Sequence, residues 1–260
     1  WFLIRSGEYQ GNFQLNTVAG LDTSQLVFMK DSGAATQPII GSWDSITTTI
    51  KLNGCNNVKF ENLFLKGKSK IVEYVANSHY ITFDRCSIKG VPGTTGQNLI
   101  YNQFKSSDHL TIQNSTIKNS YFALNINAAL YDSLLVIKNN LFDSVRTAIQ
   151  LQGARNASIL GNTIKTNRGG NLIIYLNNTH GFKIEDNVIF SSVNGEGIII
   201  NNCSGSTSQF PVNRIVNNVI NYTNTSSLSI PLKINLGKFI DVYNNTFSVN
   251  NSASLAYKSA

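Results

Sequence analysis

Residues 135–143 read LVIKNNLFD, and residues 182–190 read FKIEDNVIF. The two phrases share a plan: alternation of apolar and polar residues, a small or polar pair, then alternation again. Six more copies begin at Val58, Ile81, Leu110, Ala157, Asn213 and Ile240. The third place is apolar in all eight (Phe60, Phe83, Ile112, Ile137, Ile159, Ile184, Ile215, Val242), and the eighth place is apolar as well. In the last five copies the sixth place is Asn: Asn140, Asn162, Asn187, Asn218 and Asn245. Third-place residues recur about every 26 positions. Self-similarity at such a period is the mark of a solenoid, in which each repeat buries its apolar face only against its neighbours.

Strand, corner, strand is the pattern within each phrase. Helical solenoids need Ala, Leu, Glu and Lys at 3.6-residue spacing, whereas this chain is rich in Ile, Val, Thr, Phe, Tyr and Asn, with one Met and 13% charged residues. The expected fold is all-β: a right-handed, single-stranded parallel β-helix of about 9–10 coils, three short strands per coil. Equivalent residues then stack about 4.8 Å apart. Stacking gives the sixth-place Asn residues two expected roles. They form a hydrogen-bonded ladder, and they take the left-handed backbone conformation at the corner.

A second strand family lies between the phrases, clearest from residue 122 onward. With Leu124, Ile126, Ile149, Leu151, Ile200, Leu232 and Ile234 inward, the outward set is Asn125, Asn127, Gln150, Gln152, Asn201, Lys233 and Asn235. In the doubly apolar stretches 172–176 and 198–200 the phase stays open. Tyr175 faces outward if Leu172, Ile174 and Leu176 face inward, and can then stack a sugar ring; Tyr101, Tyr121 and Tyr131 are weaker candidates. Amides both donate and accept hydrogen bonds, so this face suits sugar hydroxyls.

The ninth place carries Lys66, Lys89, Lys118 and, after Asp143, Lys165. A Lys column along one edge, in a chain of net charge +7, is a candidate polyanion edge, although lysines also punctuate solvent-facing corners. Nucleic acid is not an expected partner, because Phe60, Phe83, Phe142 and Phe247 sit in core columns instead of among the lysines.

The stretches WFLIRSGEYQGNFQL (Trp1 to Leu15) and LNGCNNVKFENLFLKG (Leu52 to Gly67) carry a family resemblance. They resemble the opening segment and first regular coil of right-handed parallel β-helix proteins of the pectate-lyase-like superfamily. More narrowly, the chain resembles Asn-rich surface β-helix proteins of Bacteroidetes exported by the type IX secretion system. That resemblance implies a secreted or cell-surface location, with the type IX machinery as a partner. It specifies fold more than activity.

Many enzymes of the superfamily cleave acidic polysaccharides. Inverting hydrolysis needs two carboxyl groups roughly 6.5–9.5 Å apart, and the amide face offers only Glu73, with Glu196 far along the chain. Lyase chemistry needs a base and a site for the developing enolate charge, often Ca²⁺. Lys233 is the single base candidate on the face, without a carboxylate cluster beside it; Ca²⁺ is expected only for a lyase. Arg146, Arg155 and Arg168 fall at turns and either line a groove or are solvated. The sequence favours a non-catalytic adhesion or glycan-binding module; a polysaccharide lyase or hydrolase, and a passive stalk or secretion cargo, are the alternatives.

The chain is expected to be one domain over residues 1–260. Neither end reads as a cap, so a piece of a longer secreted protein, with other domains or chains covering the end coils, is expected. No apolar run is long enough to span a membrane. Three cysteines are too few for a disulfide framework; Cys55 and Cys86 are either bridged or, with Cys203, buried free thiols. Neither these nor His79, His109 and His180 have metal-ligand spacing, so no metal or other cofactor is expected.

Overall fold

A computed structural model describes residues 1–17, 24–44, 48–128, 134–168, 171–205, 212–224, 228–250 and 257–259. It is an all-β parallel solenoid. The nine-residue phrase supplies its first two strands. Places one to four form strands such as Asn56–Glu61, His79–Asp84, Val136–Lys138 and Lys183–Glu185. These stack, with Phe2–Ile4 first and Ile240–Tyr243 last, into a first ladder of ten parallel strands spanning nine coil-to-coil steps. Places seven onward form a second ladder, exemplified by Phe64–Gly67, Ser87–Gly90, Thr163–Thr166 and Val188–Ser191. The intervening family forms the third, through Lys70–Tyr74, Asn98–Lys105, Asn171–Asn177, Gly195–Asn201 and Ile230–Asn235. Two strands, Thr116–Ala128 and Leu141–Gln152, run through the corner between second and third ladders without a break.

The third-place column is the core of the first ladder, and Phe60, Phe83, Ile112, Ile159 and Ile184 are fully buried in it. At its start Phe2, Phe28, Phe60 and Phe83 stack ring on ring, with centroids 5.2, 5.6 and 4.9 Å apart. Phe2 is exposed, so at the first coil the column opens to solvent beside Leu3, Tyr9 and Phe13.

The sixth-place asparagines do form a continuous ladder. Each Oδ1 accepts from the backbone N–H of the Asn one coil earlier and from its side-chain amide: Asn140 to Asn162 at 3.0 and 3.0 Å, Asn162 to Asn187 at 2.9 and 2.9 Å, Asn187 to Asn218 at 3.1 and 3.0 Å, Asn218 to Asn245 at 2.9 and 2.9 Å. Each Nδ2 also donates to the third-place carbonyl of the preceding coil, as from Asn187 to Ile159 at 2.9 Å. Backbone groups that a corner would leave unpaired are thereby satisfied inside the protein. Ser115 and Cys86 continue the column toward the N-terminus: Ser115 N–H donates to Asn140 Oδ1, and Cys86 N–H to Ser115 Oγ.

The left-handed bend is not at the ladder Asn. It falls one residue earlier, on Asn62, Arg85, Asn114, Asn139, Gly161, Asp186, Asn217 and Asn244, with φ between 52° and 61°. The physical reason is a division of labour: the sixth residue must point inward to reach its neighbours, so its exposed predecessor absorbs the turn. A second left-handed corner precedes the phrase (Asn57, Tyr80, His109, Leu134, Asn156, Gly181), and a third follows the third ladder (Gly54, Gly153, Asn178, Asn202).

All three cysteines are buried and free, which removes the Cys55–Cys86 bridge. Cys86 occupies a ladder position and donates its thiol to Phe60 O at 3.4 Å, the bond a ladder Asn would make. Cys55, Ser78, Thr179 and Cys203 line a second inward corner, where Cys55 N–H donates to Ser78 Oγ and Thr179 N–H to Cys203 Sγ.

Candidate glycan-binding faces

Strand register turns the third ladder into a face of two outward columns. The first runs Lys51, Glu73, Tyr101, Asn125, Gln150, Tyr175, Ile199, Lys233 on successive coils. The second runs Gln103, Asn127, Gln152, Asn177, Asn201, Asn235. The doubly apolar stretches resolve by register: in 172–176 Ile173 and Ile174 are an inward pair at a corner, as are Ala148 and Ile149 one coil earlier, and in 198–200 Ile198 and Ile200 pair with the inward Ile174 and Leu176. Tyr175 accordingly faces outward between Gln150 and Ile199, as do all seven residues of the expected outward set. Ile199, outward by register, is nonetheless only 3% exposed.

Some of these amides are already bonded to one another. Gln150 Nε2 donates to Asn125 Oδ1 at 3.2 Å, Asn125 Nδ2 to Asn98 Oδ1 at 2.8 Å, and Asn201 Nδ2 to Asn177 Oδ1 at 2.8 Å. Asn127, Gln152, Asn235 and Tyr175 have no such partner among the described residues.

The two ends of the face are ionic and self-contained. Glu73 accepts from Lys70 and from Thr48 Oγ1 at 2.6 Å. Burial pushes its carboxyl up, but those bonds and the charges of Lys70 and Lys51 hold it below the usual carboxylate range. It is therefore ionised near neutrality and suited to accept a hydrogen bond rather than to donate a proton. Lys70 also lies over the Tyr101 ring, 4.4 Å from its centroid. At the far end Lys233 Nζ pairs with Glu196 at 2.7 Å. Five coil steps separate the Glu73 and Ile199 rungs, about 24 Å at 4.8 Å per step, so Glu73 and Glu196 do not sit at the separation that glycoside hydrolysis uses.

The ninth-place lysines do stack in register, Lys66 to Lys89 to Lys118, then Asp143 and Lys165. They are not a bare row of like charges. Lys66, expected on the exposed edge, is 4% exposed and pairs with Glu8. Its amine and that of Lys89 lie 5.2 and 5.9 Å from the centroid of the Trp43 ring, an electrostatically favourable placement. Lys118 pairs with Asp143 at 2.9 Å. Repulsion between stacked ammonium groups is thus offset at three of the four lysines, and Lys165 stays exposed beyond them.

Of the other candidates, Tyr121 carries the Arg146 guanidinium over its ring at 4.2 Å. Tyr131 lies outside the described residues. Arg146 and Arg168 share the corner between second and third ladders, whereas Arg155 bridges to His180 beyond the third ladder, so the three do not line one groove. Sequence reasoning passed over Trp43 and Phe190. Phe190, in the ninth place, is 41% exposed and belongs to a concavity with Asp143 and Lys165. Its signal was present: an aromatic in a place that is Lys in four other copies. Among the described residues no three His, Cys, Asp or Glu side chains are grouped so as to hold a metal ion.

No curated protein gives a significant match to the chain. Among solved structures it is similar to PfbA, a surface adhesin of Streptococcus pneumoniae, with a TM-score of 0.57 and 14% identity over 97% of this chain and 84% of that one. At that identity the likeness concerns the fold. A model of the family described as "Periplasmic copper-binding protein (NosD)" matches residues 60–260, from the third Phe of the core column onward. With the match spanning that much of the repeat array, the chain belongs to the NosD family.

Proposed function

We propose that the protein is an extracytoplasmic β-solenoid module that binds glycan without cleaving it, along the amide face of the third ladder. The observation that carries this reading is the grouping of Asn127, Gln152 and Tyr175. Asn127 and Gln152 are in register on adjoining rungs, Tyr175 lies one rung further, and none of the three side chains has a protein hydrogen-bond partner among the described residues. A flat strip of donor–acceptor amides beside an aromatic ring matches a sugar, which offers hydroxyls at its edge and an apolar ring face. The described carboxylates supply no acid pair on this face. A location outside the cytoplasm is supported by the periplasmic description of the family and by the surface adhesin of like fold.

Copper, named in the family's description, does not carry over. A copper centre draws on imidazole, thiolate and thioether ligands brought together. Here Cys55, Cys86 and Cys203 are buried singly, His79 lies 3.5 Å from Asp108, and His180 Nδ1 sits 2.9 Å from Ser204 O. The residues present do not fit that metal.

Screening of the purified chain against immobilised neutral glycans tests the proposal. Binding is expected, weakened at least about fivefold by Tyr175→Ala or Gln152→Ala. Folded protein that retains no neutral glycan would sink the reading. Release of unsaturated uronates from alginate, pectate or glycosaminoglycans, followed by absorbance, would replace it with a lyase.

A further inference from the structure

A second concavity lies over the second ladder, on a different face from the amide columns. Asp143, Lys165 and Phe190 occupy one column on three successive coils, with Asn167 and Thr223 at its rim. Phe190 presents an exposed ring in an otherwise polar hollow. Lys165, one coil away, forms no ion pair among the described residues. Asp143, its register partner, acts on Lys165 through its charge but is shared with Lys118. Its carboxylate is held by Lys118 Nζ at 2.9 Å and by Ser144 Oγ at 3.2 Å, which, against burial, keep it ionised below the usual carboxylate range. Lys118, Asp143 and Lys165 together leave net positive charge beside the ring.

We infer that this concavity binds an acidic pyranose, a uronate unit of a polysaccharide. The apolar ring face of the sugar lies on Phe190, its carboxylate pairs with Lys165, and its hydroxyls meet the Asn167 and Thr223 side chains at the rim. The coil spacing of about 4.8 Å places Lys165 within side-chain reach of a ring seated on Phe190. Two features separate this site from the neutral amide face: it sits on another ladder, and it selects for charge. A single aromatic platform ringed by hydroxyl and amide groups also favours a sugar over a nucleic acid strand, which needs a succession of stacking rings.

The experiment measures binding of a short oligogalacturonate and of its methyl-esterified form, which keeps the backbone and removes the charge. The expected result is oligogalacturonate binding at least about tenfold tighter than the ester, with about tenfold losses for Phe190→Ser and for Lys165→Gln. Tyr175→Ala, on the other face, should leave this binding unchanged. Both Phe190 and Lys165 are exposed, so circular dichroism and melting of the variants should match the parent chain. Equal binding of the ester, parent-like binding by either variant, loss that follows Tyr175→Ala, or full competition by oligothymidylate would each overturn the proposal. So would failure of the folded parent chain to bind oligogalacturonate. Loss of neutral-glycan binding in Tyr175→Ala, with oligogalacturonate binding intact, separates this site from the amide face.

Discussion

Asn187 illustrates why one residue type recurs at one place. Its Oδ1 accepts two bonds from Asn162, and its Nδ2 is shared among Ile159 O, Glu185 O and Asn218 Oδ1. Leu shares the branched shape at Cγ but leaves the Asn162 N–H and Ile159 O buried without these partners. Each unsatisfied group costs about 1–3 kcal/mol, so Asn187→Leu should destabilise the fold by at least about 2 kcal/mol in urea unfolding. Ser115 and Cys86 hold the same column with shorter side chains. A ladder was legible in the Asn column itself. Cys86 falls in the sixth place by sequence as well, but that it and Ser115 continue the hydrogen bonding was not legible, because Cys and Ser share with Asn only a donor or acceptor near the backbone.

At the scale of the element, the corner is built by two adjacent residues with separate tasks. The inward sixth residue satisfies backbone groups, and the outward fifth residue takes positive φ. Asp186 is exposed with φ 58°, and Gly161 holds the equivalent bend at 61°. Left-handed backbone costs an ordinary L-residue about 1–2 kcal/mol. Asp186→Val should therefore lower stability by about that amount, while Asp186→Gly should not, as read by thermal melting. From the third copy onward the sequence showed a small or polar pair at the corner but not which member bends, since Asn suits both tasks. The same limit applied to the third ladder: consecutive apolar residues such as Ile173 and Ile174 hide strand phase until the corner shows that both point inward.

For the molecule as a whole, stability comes from coils that each contact only their neighbours, and its three thiols are distributed along that array. Burial pushes Cys86 up to about 12 and Cys203 up to about 11, from an ordinary 9.0, and raises Cys55 as well. Because the folded state holds these protons more tightly, their contribution is fully present below pH about 9 and is lost as pH rises through the folded values. The native chain should resist thiol reagents near pH 8 and become steadily easier to unfold in urea between about pH 9 and 12. A chain with the three cysteines replaced by Ser or Ala should lose the slope that begins near pH 9 and keep only the part above about pH 10 that the buried Tyr222 phenol, also pushed up by burial, contributes. Read alone, the sequence determined the parallel solenoid, its coil length, the Asn ladder and the outward amide set, because a period of about 26 forces equivalent residues into register on successive coils. Only the tertiary structure decided which charges are already matched, since Glu8 and Glu196 come from other strands and Trp43 from a bend. The ninth place already aligned Asp143, Lys165 and Phe190, but only the structure showed that Asn167 and Thr223, from outside that column, close a hollow around them, because folding of the coil and not the repeat sets that contact.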